Sequence, residues 1–232
     1  MNETILVVDD DKEIADLVEI HLVSDGYRVL KANQAEEGLK LFSENPVSLA
    51  ILDIMMPGMD GMEMCRRIRE NSAIPIIFLS ARSTDMDKIL GLANGADDYV
   101  IKPFSPLELM ARVKSQLRRY TTLNPGSMKE NAADQDVDME YLTIRRASHQ
   151  VIVYGKEVKL TPIEFDILYL LASHPGQVYS TEDIFREVWH EEMIEANNTV
   201  MVHIRRIREK IELNSRDARI IKTVWGVGYK VG

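Results

Sequence analysis

From Ile5 to about Arg119, short runs of aliphatic and β-branched residues alternate with segments whose apolar positions recur every three or four residues. The runs are Ile5–Val8, Arg28–Lys31, Leu49–Leu52, Ile76–Leu79 and Tyr99–Ile101. Short, nearly continuous apolar runs are the pattern of strands covered on both faces. The first helical stretch sets Ile14, Leu17, Val18 and Leu22 along one stripe and stops at Gly26, and the last sets Leu109, Met110, Val113 and Leu117 together. Five such βα units predict a parallel sheet with helices on both sides, because right-handed crossovers place them there. Ligands of sheets of this kind bind beyond the carboxyl ends of the strands.

Near Tyr120 the pattern stops. Residues 121–134 are polar, contain a Pro-Gly step and show no periodicity, which predicts a flexible linker over 120–134 between a domain at 1–119 and another at 135–232. Beyond it, Leu142–Ile144, Gln150–Val153 and Val158–Leu160 alternate as in a small antiparallel sheet. Helical spacing follows over Pro162–Ser173, opened by Thr161 as N-cap, then over Thr181–Trp189 and Asn198–Leu213. Ile220–Val224 and Gly228–Val231 flank Trp225-Gly226-Val227 as in a β-hairpin.

Composition adds limits. The 232 residues suffice for two small domains with cores, and 45% hydrophobic with 28% charged residues is ordinary for a globular protein. No apolar run approaches the roughly 20 residues that cross a bilayer, and the N-terminus lacks the basic and apolar regions of a secretory signal. The single cysteine, Cys65, cannot close an internal disulfide, so a cytoplasmic location is expected. The net charge of −9 argues against nucleic acid, but its distribution does not: residues 197–232 carry 8 basic and 3 acidic side chains. A solvated face would account for that local excess equally well.

Asp9, Asp10 and Asp11 follow the first run and Asp53 ends the third, so a parallel sheet would gather these carboxylates at one edge. A capping role explains any one of them but not easily the set. Carboxylates that close call for a hard divalent cation, Mg²⁺ above all. Ser80 and Lys102 end the fourth and fifth runs at the same edge. A hydroxyl, an ammonium, a metal and a carboxylate nucleophile are what phosphoryl transfer onto Asp53 requires.

The segments Val7-Val8-Asp9-Asp10-Asp11, Leu52-Asp53-Ile54-Met55-Met56-Pro57-Gly58-Met59-Asp60-Gly61, Leu79-Ser80-Ala81-Arg82 and Gly95-Ala96-Asp97-Asp98-Tyr99-Val100-Ile101-Lys102-Pro103-Phe104 resemble the receiver domain of bacterial two-component response regulators. The resemblance implies a flavodoxin-like (βα)5 fold and phosphorylation of Asp53 by a sensor histidine kinase. It implies Mg²⁺ held by Asp9, Asp10, Asp53 and the backbone carbonyl of Met55, phosphoryl contacts from Ser80 and Lys102, Tyr99 as a switch residue, and a cis bond before Pro103. Phosphatases of the haloacid dehalogenase type share this inventory, but they place a second Asp two residues after the nucleophile, where Met55 stands here. A switch is therefore expected, not a turnover enzyme. Met55 and Arg82 offer no acid or amide to orient an attacking water, so loss of the phosphoryl group is expected to take minutes or longer, as in the family.

Glu108, Arg112 and Arg119 share a helix face, with Asp97 and Asp98 on the preceding strand. Local i,i+4 pairing is one reading. In the OmpR/PhoB subfamily the same pattern, together with Lys88, forms crosswise salt bridges in a two-fold dimer, and a homodimer on phosphorylation is expected from that resemblance.

In Asn198–Leu213 an apolar stripe of Val200, Ile204, Ile207 and Ile211 leaves a second face with Asn198, Val202, Arg205, Arg206 and Glu209, and His203 and Lys210 at its edge. Leu160-Thr161-Pro162-Ile163-Glu164-Phe165, Val200 to Arg208, and Ile221 to Tyr229 resemble the winged-helix (α+β) effector domain of the same subfamily. This implies promoter DNA as a partner, a recognition helix at 198–213, a wing at 220–231 bearing Thr223 and Trp225, and an RNA polymerase contact at 190–196. DNA contact or a rim position remains open for His203, polymerase contact or a solvated turn for the acidic 190–196 loop, and packing or DNA contact for Trp225. The phrasing around Glu13–Glu19 and Lys222–Lys230 is similar to VanR-type regulators.

Overall fold

A computed structural model describes residues 3–81, 91, 94–122, 136–189, 197–215 and 217–232. The chain divides into two compact units, Met1–Tyr120 and Thr121–Gly232.

In the first unit, β1 (Thr4–Val8), β2 (Arg28–Ala32), β3 (Leu49–Asp53), β4 (Ile76–Ser80) and β5 (Asp98–Ile101) form one parallel sheet in the order β2-β1-β3-β4-β5. Every residue of β1, β3 and β4 is buried, as expected of central strands with both faces covered. The described helices are α1 (Lys12–Ser24), α2 (Ala35–Glu44), α3 (Gly61–Asn71) and α4 (Pro106–Thr122). Ile5, Val7, Leu49, Ile51, Ile77 and Leu79 pack with Ala15, Val18 and Leu22 of α1 and Leu109, Met110, Val113 and Leu117 of α4. Leu17, placed on the buried stripe by its spacing, is instead exposed, and Ala15 takes the core position. The spacing permits either, since both lie at the margin of the stripe. Helix α4 continues through Thr122, so the first residues of the expected linker are helical.

The strand order changes direction between β1 and β3, which opens a crevice at their carboxyl ends. Asp11 caps α1, accepting from the N–H groups of Glu13 and Ile14, and Asp60 caps α3 by accepting from Glu63.

In the second unit, β6 (Val137–Asp138), β7 (Leu142–Arg145), β8 (Gln150–Val153) and β9 (Lys156–Glu157) form an antiparallel sheet. The expected strand at Val158–Leu160 does not form: β9 ends at Glu157, only Val158 N–H continues to the Val151 carbonyl at 2.9 Å, and the chain turns into α5 (Pro162–Ala172). The short β6 was not legible from alternation. Helices α6 (Thr181–Trp189) and α7 (Asn197–Ile211) follow, then the hairpin of β10 (Ile221–Val224) and β11 (Gly228–Val231). Residues of both sheets and all three helices share one core, including Ile144, Leu168, Ile184, Ile204, Ile207 and Val231. Gly228 lies so close to Tyr179 that a Cβ would sit 1.9 Å from the Tyr179 carbonyl oxygen, so only glycine lets the hairpin seat there. Among the described residues no helix is long and apolar enough to cross a membrane.

Candidate functional site

Asp9 and Asp10 follow β1, Asp53 ends β3, and each offers a carboxylate oxygen within 4.8 Å of the others. Lys102, one residue past β5, donates from Nζ to Asp9 Oδ2 at 2.7 Å and to Asp53 Oδ2 at 2.9 Å. The remaining oxygens of the buried pair are held by backbone: Asp11 N–H donates to Asp9 Oδ1 and Met55 N–H to Asp53 Oδ1. Ser80 ends β4, fully buried, and its carbonyl accepts from Lys102 N–H at 2.7 Å. The Lys102–Pro103 peptide is cis.

Burial drives the Asp9 carboxyl upward, and repulsion from Asp53 adds to this, so Lys102 does not bring it down to its ordinary value. Burial alone would lower Lys102, but its hydrogen bonds to Asp9 and Asp53 outweigh that and hold it above its ordinary value, as an ammonium. Three carboxylates face one ammonium, so the cluster keeps an excess of negative charge. Oxygen-only donors with that excess suit Mg²⁺, and a divalent cation would favour the ionised form of Asp9.

Helix α3 packs directly behind the carboxylates. A Cβ at Gly61 would lie 2.0 Å from the backbone oxygen of Asp53, so glycine is required for α3 to approach the end of β3. Gly61 closes the motif that begins at Leu52, but its close approach to Asp53 was not read from it. The position directly after the Asp60 cap was the available signal. Tyr99 is half-buried, its ring edge 3.1 Å from where a Cβ on Gly91 would be. Met55 is half-exposed, and Arg82 lies outside the described residues.

The residues assigned to a dimer face divide. Arg112 bonds Asp98 through Nη1 at 3.1 Å and Glu108 through Nη2 at 3.1 Å, on the side of α4 next to β5. Asp97 is not on that face. It precedes β5 and is fully buried, where Arg69 Nη2 reaches Oδ2 at 2.6 Å and Ile76 N–H at 2.9 Å. Lys88 and the side chain of Arg119 lie outside the described residues.

The α7 residues divide as well. Arg205 is exposed and pairs with Glu209, and Met201 is exposed beside it along the helix. Val202, His203 and Arg206 are buried, which corrects their placement on an open face. His203 packs against Trp189, with ring centroids 5.6 Å apart, and Arg206 Nη2 lies 3.0 Å from Glu164 Oε1. Lys210 is partly exposed, yet its Nζ bonds Glu164 Oε2 at 2.5 Å. Burial pushes the Glu164 carboxyl up, but the charges of Arg206 and Lys210 outweigh it and hold it below its ordinary value. Arg208, which spacing did not single out, ties α7 to the hairpin through the Ile221 carbonyl and Thr223 Oγ1. Trp225 is 90% exposed at the hairpin tip, so it does not pack inside the hairpin. The Asn198 side chain and residues 190–196 lie outside the described residues.

Comparison with known proteins matches residues 5–114 to the response regulator receiver domain and residues 155–231 to the C-terminal domain of transcriptional regulatory proteins. The chain is 48% identical to regulatory protein VanRc of Enterococcus gallinarum over 99% of this chain and 98% of that one. It is 46% identical to regulatory protein VanR of Enterococcus faecium over 100% and 99%. Among solved structures it resembles DrrB, an OmpR/PhoB homologue from Thermotoga maritima, at 35% identity and TM-score 0.52, covering 100% of this chain and 99% of that one. Receiver domains bind Mg²⁺ at an acidic pocket and take a sensor kinase as partner, and the C-terminal family binds promoter DNA. A parallel receiver sheet with its acidic edge, followed by a winged-helix unit, places this chain in the OmpR/PhoB family of two-component response regulators, which are DNA-binding transcription regulators and not enzymes.

Proposed function

We propose that this chain is switched by phosphorylation of Asp53. A carboxylate oxygen of Asp53 attacks the phosphorus of a phosphohistidine on the sensor kinase. The P–O bond forms, the P–N bond breaks, and the imidazole leaves with the electron pair. Asp9, Asp10, Asp53 and the carbonyl of Met55 would hold Mg²⁺. Bound there, the ion supplies charge neutralisation for the transferring oxygens. Lys102, already bonded to Asp53, serves the same end with its ammonium, and Ser80 contributes its hydroxyl. The product carries about −1.5 to −2 charge where a single carboxylate stood. Ser80 turns toward it and Tyr99 follows into the space vacated.

The observation that carries this reading is the convergence of Asp9, Asp10, Asp53 and Lys102 from three strand ends on one point. The switch favours a homodimer through Lys88, Asp98, Glu108, Arg112 and Arg119, a self-complementary patch that holds both acids and bases. Residues 120–134 then act as the linker between domains at 1–119 and 135–232. Two tethered effector domains engage tandem promoter half-sites at a shared effective concentration. Arg205, Thr223 and Trp225 face the DNA, and residues 190–196 meet RNA polymerase. The setting is cytoplasmic, where kinase and promoter are both within reach. Gel filtration of the phosphorylated wild type beside Asp53→Asn tests the scheme: a dimer is expected only for the former. Equal dimerisation of the two would contradict it and favour a regulator that works without phosphate.

A further inference from the structure

Glu164 is a buried charge with no part in the scheme above. It is the third residue of α5 and is fully buried. Its Oε2 accepts from Thr161 N–H at 2.9 Å and from Lys210 Nζ at 2.5 Å, while Oε1 lies 3.0 Å from Arg206 Nη2. One internal carboxylate is therefore shared by two cations of α7 that stand four residues apart on one side of the helix. A carboxylate and a phosphate present similar oxygen pairs to a guanidinium or ammonium, so the two compete for the same donors. Replacing a buried ion pair by apolar residues is often neutral or stabilising, so stability is a weak reason to keep this one.

We infer that Glu164 is an internal counter-charge that competes with DNA phosphate for Arg206 and Lys210, a positioning residue acting through those two side chains. It holds their charged ends against α5, with Arg206 buried and the Lys210 ammonium drawn inward, while the Arg205 side chain stays open to solvent beside Glu209. The helix then offers fewer cations to phosphate, whatever the sequence. The sequence-independent part of DNA affinity grows with each cation that reaches a phosphate, so withholding two of them restrains it. This rests on the DNA-binding reading of the C-terminal unit.

The test measures binding of the full-length chain to a short random-sequence duplex across a salt series. Glu164→Gln, which keeps the shape and removes the charge, is expected to bind about tenfold more tightly at low salt. Its plot of log affinity against log salt should steepen by about 0.9 for each phosphate newly met. Lys210→Met, with Glu164 intact, should leave the wild-type slope unchanged, a readout that survives if the first variant folds poorly. An unaltered slope and affinity in Glu164→Gln, or a slope lowered by about 0.9 in Lys210→Met, would overturn the inference. If the wild type bound no duplex at all, the DNA-binding reading itself would fall and this one with it.

Discussion

The carboxyl edge of the receiver sheet and the face of α7 both carry charged residues that sequence marked for function, yet only the first arranges them as expected. At the sheet edge Asp9, Asp10, Asp53 and Lys102 come together. On α7, Val202, His203 and Arg206 turn inward and only part of the marked set stays open. The difference lies in what fixes direction. A parallel sheet forces every strand end to the same side, so a residue one step past a strand has little choice of place. A helix stripe says which residues are buried at its centre, while the flanks can go either way, depending on what packs beside them. Here Glu164 and Trp189 pack beside them, and both come from other helices.

The largest effect that would break this comparison belongs to the sheet edge. Lys102→Met removes the ammonium from two carboxylates and should abolish phosphoryl acceptance by Asp53, read as loss of labelling by a phosphodonor. Labelling at the wild-type rate would mean the convergence has no chemical consequence. On the effector side, Glu164→Ala leaves two cations without their counter-charge. It should cost about 3 kcal/mol in the C-terminal unfolding transition, measured with urea.

The same residue sets a pH dependence whose sign follows from its lowered value. Above its ordinary unfolded value of 4.5, the carboxylate is ionised in both states and its pairing contributes in full. As the pH falls, the unfolded state takes up the proton first, and the contribution is lost on the way down to the lower folded value. The urea midpoint of the C-terminal unit should therefore drop with acid below that point, less so in Glu164→Gln. An equal drop in both would remove Glu164 as its source.

The smallest effect concerns the wing. Trp189 is buried against Phe185 while Trp225 is 90% exposed, so a change in indole emission on adding DNA reports on Trp225. A blue shift is expected with wild type and none with Trp225→Ala, which should lose about 1 kcal/mol of affinity with little change in salt slope, as for an apolar contact. Unchanged emission would place the wing tip away from the duplex.

Much of the fold was legible because its signals are local. Apolar runs marked all five strands of the first sheet to within a residue or so, and Pro162 and Gly226 punctuated α5 and the hairpin. The two-residue strand β6 carried too little alternation to be seen, and Val158–Leu160 had the alternation but keeps only one bond to β8, from Val158. In the site, Asp11 shows the limit of composition. It stands beside two carboxylates of the cluster, yet its side chain caps α1. Asp97 shows another limit: it is buried on Arg69 while its neighbour Asp98 pairs with Arg112, so adjacent acids in the sequence do not share one surface. Arg208 matters through Thr223 on the hairpin, and Gly61, the last residue of the motif that holds Asp53, matters through the closeness of its backbone to Asp53, contacts that apolar spacing does not show.

The central claim is that the gathered edge makes Asp53 the phosphoryl acceptor, and the direct test is incubation of the intact chain with acetyl phosphate and Mg²⁺, read by intact mass and by mapping of the modified peptide. The account predicts a single added phosphoryl group on Asp53, absent from Asp53→Asn and lost when Mg²⁺ is chelated beforehand. Labelling that persisted in Asp53→Asn, or no labelling of the wild type, would contradict it.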